Sequence, residues 1–285
     1  MKRLLMWVSS DFKGLESSLT IKDAILKSEG RTIICDISAE TSPLYKEVTN
    51  GELLAAFGSD LLLLKDIDVK NPIISGLENE AQPLEKLRDL TGLGVGINLE
   101  ITDYGPKFKS FNSESLVAAI NLNPDFISLT GYNKPEVTPE RIREDLKMIR
   151  TRYDGFLMLN PVVSHGMELD ITNLISYIDA GTDLIVLPAP GSVPGVTEDL
   201  LFNLTTEIRK KGALVSATVG TSQESTDEST IKKIALSAKR SGVDVFELGD
   251  AGASGIASLE NIFSASIAVR GKRHTYTRMA RSAKR

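Results

Sequence analysis

The chain has 285 residues and a net charge of -5, and its 41% hydrophobic and 25% charged content is ordinary for a soluble globular protein. Its single cysteine, Cys35, excludes an internal disulfide and fits a reducing, cytoplasmic setting. No apolar run approaches the ~20 residues that cross a bilayer, and the opening MKRLLMWVSS is too short in its apolar part, with Asp11 and Lys13 following at once, to act as a signal peptide.

Residues 1–19 precede any repeating pattern and are expected to cap one end of the fold. Thr20 reads as a helix N-cap with Asp23 at the third helical position, and Gly30 stops that helix. From there the chain alternates. Strands are predicted over 31–37, 60–64, 94–99, 126–130, 156–159, 184–187, 214–218 and 243–248. Helices are predicted over 50–57, 84–90, 112–120, 138–152, 170–178 and 197–210, then from about Glu228 and from Ser258. Thr138 with Pro139 is a cap-and-first-position pair. The strands are near-continuously apolar and no Asn-Gly hairpin turn separates them, which points to an all-parallel sheet covered by helices. The expected fold is α/β: a single (β/α)8 barrel over the whole chain, with a short N-terminal extension and a basic C-terminal segment from 271 to 285.

Three helices end in one phrase, glycine, a small residue, aspartate, strand: Gly58-Ser59-Asp60, Gly181-Thr182-Asp183 and Gly242-Val243-Asp244. The glycine suits a left-handed cap, and the aspartates stand at strand entrances, so they read as structural. Between residues 261 and 285 there are seven basic residues and no acid, so the net -5 leaves -12 for the rest. A basic tail can grip nucleic acid, but packing on its own acidic barrel or on a sister subunit is the expected role. Lending Arg270, Arg273 or His274 to a bound phosphate is an alternative.

In such barrels the chemistry sits where strands end. The first strand offers Asp36, the second Lys65 and Asp66, the third Asn98 and Glu100, the fourth Thr130 and the fifth Asn160. Alternation turns Asn98 and Glu100 toward the barrel mouth and Val95, Ile97 and Leu99 toward the helices. Glu100 with Asn98 is the expected catalytic or ligand-orienting pair. Lys65 is suited to a Schiff base, to a phosphate, or to a salt bridge with Asp66 or Glu100. Asp36, Asp66 and Glu100 together have the oxygen chemistry that would hold Mg2+; no other cofactor is implied, and two histidines, His165 and His274, argue against clustered-imidazole zinc.

The last two strand–loop–helix units carry Gly220, Thr221, Ser222 and Glu224, then Glu247, Gly249, Asp250, Gly252, Ser254 and Gly255. Glycines between a strand end and a helix start leave amides open to an anion, and the phosphate site of a (β/α)8 barrel lies after strands 7 and 8. Gly220, Thr221, Ser222, Gly249, Asp250, Gly252, Ser254 and Gly255 are therefore the expected phosphate cradle.

Six segments carry a resemblance: Ser28-Glu29-Gly30-Arg31-Thr32, Val95-Gly96-Ile97-Asn98-Leu99-Glu100, Leu187-Pro188-Ala189-Pro190-Gly191-Ser192-Val193-Pro194-Gly195, Gly220-Thr221-Ser222-Gln223-Glu224, Gly249-Asp250-Ala251-Gly252 and Arg270-Gly271-Lys272-Arg273-His274-Thr275-Tyr276. Together they resemble an uncharacterised bacterial family of (β/α)8-barrel proteins, found near sugar phosphotransferase genes and often labelled phosphoenolpyruvate phosphonomutase-like or haloacid dehalogenase-like. This chain departs from that family's Gly-Lys-Met-His after the fifth strand, where it has Asn160-Pro161-Val162-Val163, and from its Asn-Pro-Gly after the fourth. The expected function is a cytosolic barrel that binds a small phosphorylated metabolite, a sugar phosphate above all, with isomerase- or lyase-type proton transfer. The alternatives are a catalytically silent phosphometabolite-binding or regulatory barrel and a Mg2+-dependent phosphoenolpyruvate-mutase-like lyase. A homo-oligomer is expected; nucleic acid and membrane are not.

Overall fold

The apolar runs form strands because branched and aromatic side chains pack on both faces of a covered sheet. The computed structural model describes residues 2–15, 17–104, 109–132, 134–161, 169–220 and 223–283. Its strands are β1 (Thr32–Ser38), β2 (Leu61–Lys65), β3 (Gly94–Glu100), β4 (Phe126–Thr130), β5 (Phe156–Asn160), β6 (Leu184–Pro188), β7 (Leu214–Val219) and β8 (Val245–Leu248). They pair in chain order, all parallel, and β1 closes on β8 with Ile33 opposite Phe246. The result is a closed (β/α)8 barrel.

Helices α1 (Ser9–Phe12) and α2 (Ser18–Ser28) precede β1. The outer ring is α3 (Asn50–Phe57), α4 (Pro83–Thr91), α5 (Ser113–Asn121), α6 (Pro139–Arg150), α7 (Ile171–Asp179), α8 (Glu198–Lys210), α9 (Glu228–Arg240) and α10 (Leu259–Met279). Most of their starts are capped by side chains: Thr49 and Glu52 satisfy each other's amides, and Thr138, Asp170, Thr197 and Asp227 accept from the first turns. One start differs from expectation. Helix α2 begins after Ser17 rather than at Thr20, because Ser18 N–H donates to Asp154 O at 3.1 Å and fixes an earlier first turn.

Two apolar layers result. Val95, Ile97 and Leu99 pack outward with the helices. Ile34, Leu61, Leu63, Phe126, Phe156 and Met158 fill the interior, joined at the amino end by Leu4, Trp7 and Phe12 of the N-terminal segment. Close approach sets two glycines. A Cβ on Gly96 would lie 2.2 Å from the Phe126 ring, and one on Gly94 would lie 2.4 Å from the Phe12 ring. Trp7 and Phe12 meet edge to face at 5.0 Å.

The aspartates at strand entrances clip strand starts together in pairs. Asp60 accepts from Ile33 N–H at 2.9 Å, Asp125 from Val95 at 2.7 Å, Asp183 from Leu157 at 2.9 Å and Asp244 from Val215 at 3.0 Å. The joined pairs are β1 with β2, β3 with β4, β5 with β6 and β7 with β8. Each carboxylate also faces an arginine: Arg270 at 2.6 Å, Arg88 at 2.8 Å, Arg150 at 2.5 Å and Arg209 at 3.6 Å. Asp125 escapes the Gly-x-Asp pattern because Asn123, at φ 52, takes the left-handed position in place of glycine.

Helix α10 breaks at Gly271, φ 73, and its Arg270 and Arg278 are spent at the amino end of the barrel. Arg270 has no exposed side-chain surface: it binds Asp60, Gly58 O and Ser266 Oγ. Arg278 donates to Ser59 O at 3.0 Å and Trp7 O at 3.3 Å. The alternative in which Arg270 reads a phosphate at the mouth is thereby corrected. Among the described residues no helix is long and apolar enough to cross a membrane.

Candidate active site

The carboxyl ends of the strands surround a cavity of about 370 Å³, within the range that holds a small ligand. Asp36 of β1, Lys65 of β2, Thr130 of β4 and Asn160 of β5 line it. Glu224 and Asp250, from the loops after β7 and β8, complete its charged groups. Tyr132, Ser192 and Thr218 add hydroxyls.

Strand pleating explains the centre of this site. Residues 34, 36 and 38 of β1 face inward, as do 61, 63 and 65 of β2, and register sets Lys65 beside Ser38. The Lys65 ammonium bends back one layer to Asp36 Oδ2 at 2.6 Å and stands 3.7 Å from Asp250. Burial alone would depress the Lys65 pKa, but the charges of Asp36 and Asp250 outweigh it and raise it well above the ordinary lysine value. Lys65 therefore stays an ammonium. Burial pushes the Asp36 carboxyl above the usual carboxylate range, and Lys65 offsets only part of that rise. Asp36 is 2% exposed, and its second oxygen, Oδ1, has no hydrogen-bond partner.

Beneath this pair lies Glu247, 1% exposed, accepting from Ser216 Oγ at 3.0 Å. Burial, and next the charge of Asp36, push its pKa up to about 8, so at neutral pH it holds a proton. Tyr132, likewise pushed up to about 12 mainly by burial, stays a phenol. The mouth thus joins an ammonium, a carboxylate with a free oxygen and a neutral carboxylic acid.

Other expected site residues are placed differently. Asn98 faces inward as alternation predicts, but its Oδ1 accepts from Thr130 Oγ1 at 2.6 Å and it does not line the cavity. Glu100 lies at the rim, because the segment after β3 folds back on it: Glu100 N–H donates to Lys109 O and Phe111 N–H to Glu100 O. Its surroundings are Lys109, Asp66 and Lys134, and it too is absent from the cavity lining. Asp66 takes a left-handed turn at φ 58 and pairs with Lys109. The salt bridge of Lys65 is consequently to Asp36 and Asp250, not to Asp66 or Glu100.

The expected Mg2+ trio of Asp36, Asp66 and Glu100 does not converge. Among the described residues no three histidine, cysteine or acidic side chains are grouped to hold a metal. Of the expected phosphate cradle, Gly220, Gly249, Asp250 and Gly252 line the cavity, and several of its amides are engaged within the protein. Gly249 N–H extends the ladder to Val219 O at 3.0 Å, Gly255 N–H donates to Gly252 O and Ser254 N–H to Ala251 O. Gly252 N–H binds Asp250 Oδ1 at 3.0 Å, and Ala251 N–H serves Glu224. Thr221, Ser222 and His165 lie outside the described residues.

Glu224 was recognisable as a mouth residue in the sequence, as was Glu247. Tyr132 was not singled out, because only the closed barrel turns the loop after β4 over the Lys65 side chain.

The barrel is similar to several solved structures, at identities that speak to fold alone. An archaeal fructose 1,6-bisphosphate aldolase superposes with a TM-score of 0.59 at 15% identity, over 88% of this chain and 99% of that one. A Schiff base forming fructose-1,6-bisphosphate aldolase gives 0.58 at 14%, over 87% and 99%. The tetrameric deoxyribose phosphate aldolase from Aeropyrum pernix gives 0.50 at 15%, over 90% and 95%. Among curated proteins none matches the sequence. The phosphonomutase and dehalogenase labels attached to the resemblance find no counterpart in these likenesses or in the description of the family whose profile matches. That profile covers residues 5–285, and the chain belongs to the family described as domain of unknown function DUF7916.

Proposed function

We propose that the mouth binds a small phosphorylated metabolite, a sugar phosphate in the first instance, and moves a proton on it in an isomerase- or lyase-type step. One observation carries this reading: Asp36 lines the cavity with one oxygen on Lys65 at 2.6 Å, while its other, buried oxygen has no hydrogen-bond partner. A carboxylate so placed can take a proton from a carbon beside a carbonyl. The Lys65 ammonium faces the same space and stabilises the oxyanion that forms. Glu247, neutral at pH 7, limits the negative charge beneath them. The likeness to aldolases supports the choice of a lyase-type barrel only through shared architecture. In this reading Lys65 is not a Schiff-base nucleophile, since an ammonium has no free pair. Gly220, Thr221 and Ser222 remain the proposed phosphate contacts. We expect a homo-oligomer in a cytoplasmic setting.

A second reading, a silent phosphometabolite-binding barrel, is favoured by the engagement of the amides after β8 and by the firm hold on Lys65. A thermal-shift series with sugar phosphates and phosphocarboxylic acids tests binding. A ligand at 100 times its Kd raises stability by about 2.7 kcal/mol. At least one sugar phosphate should stabilise the wild type and not Lys65→Met, and borohydride added with it should leave Lys65 unmodified. No stabilisation by any of them would overturn the proposal, and a borohydride adduct at Lys65 would overturn the ammonium role.

A further inference from the structure

The charges lining the cavity do not balance among the described residues. Among the described residues three carboxylates, Asp36, Asp250 and Glu224, face it with one cation, Lys65. Lys65 is shared between Asp36 and Asp250. Glu224 makes no salt bridge among the described residues, although it is 3% exposed and its Oε2 has no hydrogen-bond partner. Burial first, and then the like charge of Asp250, push its pKa up, against its own backbone amide, Ala251 N–H and the more distant Lys65. A buried carboxylate so placed is costly unless a cation reaches it. Oε2 is closed to bulk water, so solvent does not compensate the charge.

From this imbalance we infer that the ligand itself brings the missing cation: a primary ammonium that docks on Glu224, beside hydroxyls that meet Thr130, Tyr132 and Asn160. With the phosphate of the proposed function, on which this inference rests, the ligand class is an amino-sugar phosphate. Such an ammonium gives Glu224 a charge-assisted hydrogen bond and relieves its repulsion with Asp250. A neutral sugar leaves Glu224 unpaired, and a phosphocarboxylic acid adds a further negative group.

Calorimetry with glucose, glucosamine, glucose 6-phosphate and glucosamine 6-phosphate, at slightly acidic pH where the amine is charged, separates amine from phosphate. The inference predicts that each amine binds about tenfold or more tighter than its hydroxyl counterpart, and that Glu224→Gln removes this advantage. Equal affinities for the two phosphates, or an advantage that survives in Glu224→Gln, would overturn it while leaving the phosphometabolite reading intact. An amine advantage with no gain from phosphate would keep the inference and overturn that reading. No binding by any of the four would overturn both. Should Glu224→Gln not fold, Glu224→Asp, which withdraws the carboxylate by one methylene, must still reduce the amine advantage; an undiminished advantage there would count against the inference.

Discussion

The two ends of this barrel use the same residue type in opposite ways. At the amino end Asp60, Asp125, Asp183 and Asp244 each accept a strand amide and face an arginine. At the carboxyl end Asp36 and Glu224 are just as buried, and each keeps an oxygen without a hydrogen-bond partner, as Asp60 does. But Asp60 has two arginines beside it, whereas Asp36 shares Lys65 with Asp250 and Glu224 has no salt bridge among the described residues. A carboxylate held by a strand amide and an arginine fixes a strand start. One that is half-satisfied beside a cavity is costly to the free protein and useful to a ligand. The amino end therefore holds the register of the barrel, and the mouth carries the groups of the proposed chemistry.

The sharpest way to break this contrast is to remove one carboxylate from each end. Asp60→Ala leaves Arg270 buried without its counter-charge and the Ile33 amide without an acceptor, and should cost about 3–5 kcal/mol. Asp36→Asn deletes a buried charge that is only partly compensated and should cost far less. Urea denaturation of both variants decides it; equal losses would mean that the mouth is as structural as the base.

A smaller effect concerns pH. Glu247 is raised to about 8 in the folded state from an ordinary 4.5, so between those values the folded protein holds a proton that the unfolded chain releases. Its contribution to stability is complete below about 4.5, falls as pH rises and is gone above about 8, with a slope of at most about 1.4 kcal/mol per pH unit. Subtracting the denaturation profile of Glu247→Gln from that of the wild type should isolate this fall. A flat difference would show that Glu247 is ionised at neutral pH, and the mouth would then carry one more negative charge than described.

Much of the amino end was legible in the chain because its signals are local. Gly58-Ser59-Asp60 and its two repeats announce cap and clip together, and Asp125 was missed only because asparagine replaces the glycine. The mouth was legible in part. Alternation along β3 turns Asn98 inward, but it cannot show that Thr130 occupies its oxygen or that the segment at Lys109–Phe111 returns to hold Glu100 at the rim. The amides after β8 look free in sequence, and only the continuation of the parallel ladder to Val219 reveals that Gly249 is engaged. The pairing of Lys65 with Asp36 depends on the stagger between two strands, which no single segment encodes.

The most direct measurement is solvent exchange. Proton NMR in D2O follows the C–H beside the carbonyl of phosphorylated aldoses and ketoses incubated with the protein. Transfer through Asp36 predicts that at least one of them exchanges that hydrogen with the wild type and not with Asp36→Asn. Retention of every such hydrogen under wild-type protein, for a sugar phosphate shown to bind, would contradict proton transfer and leave a barrel that only binds.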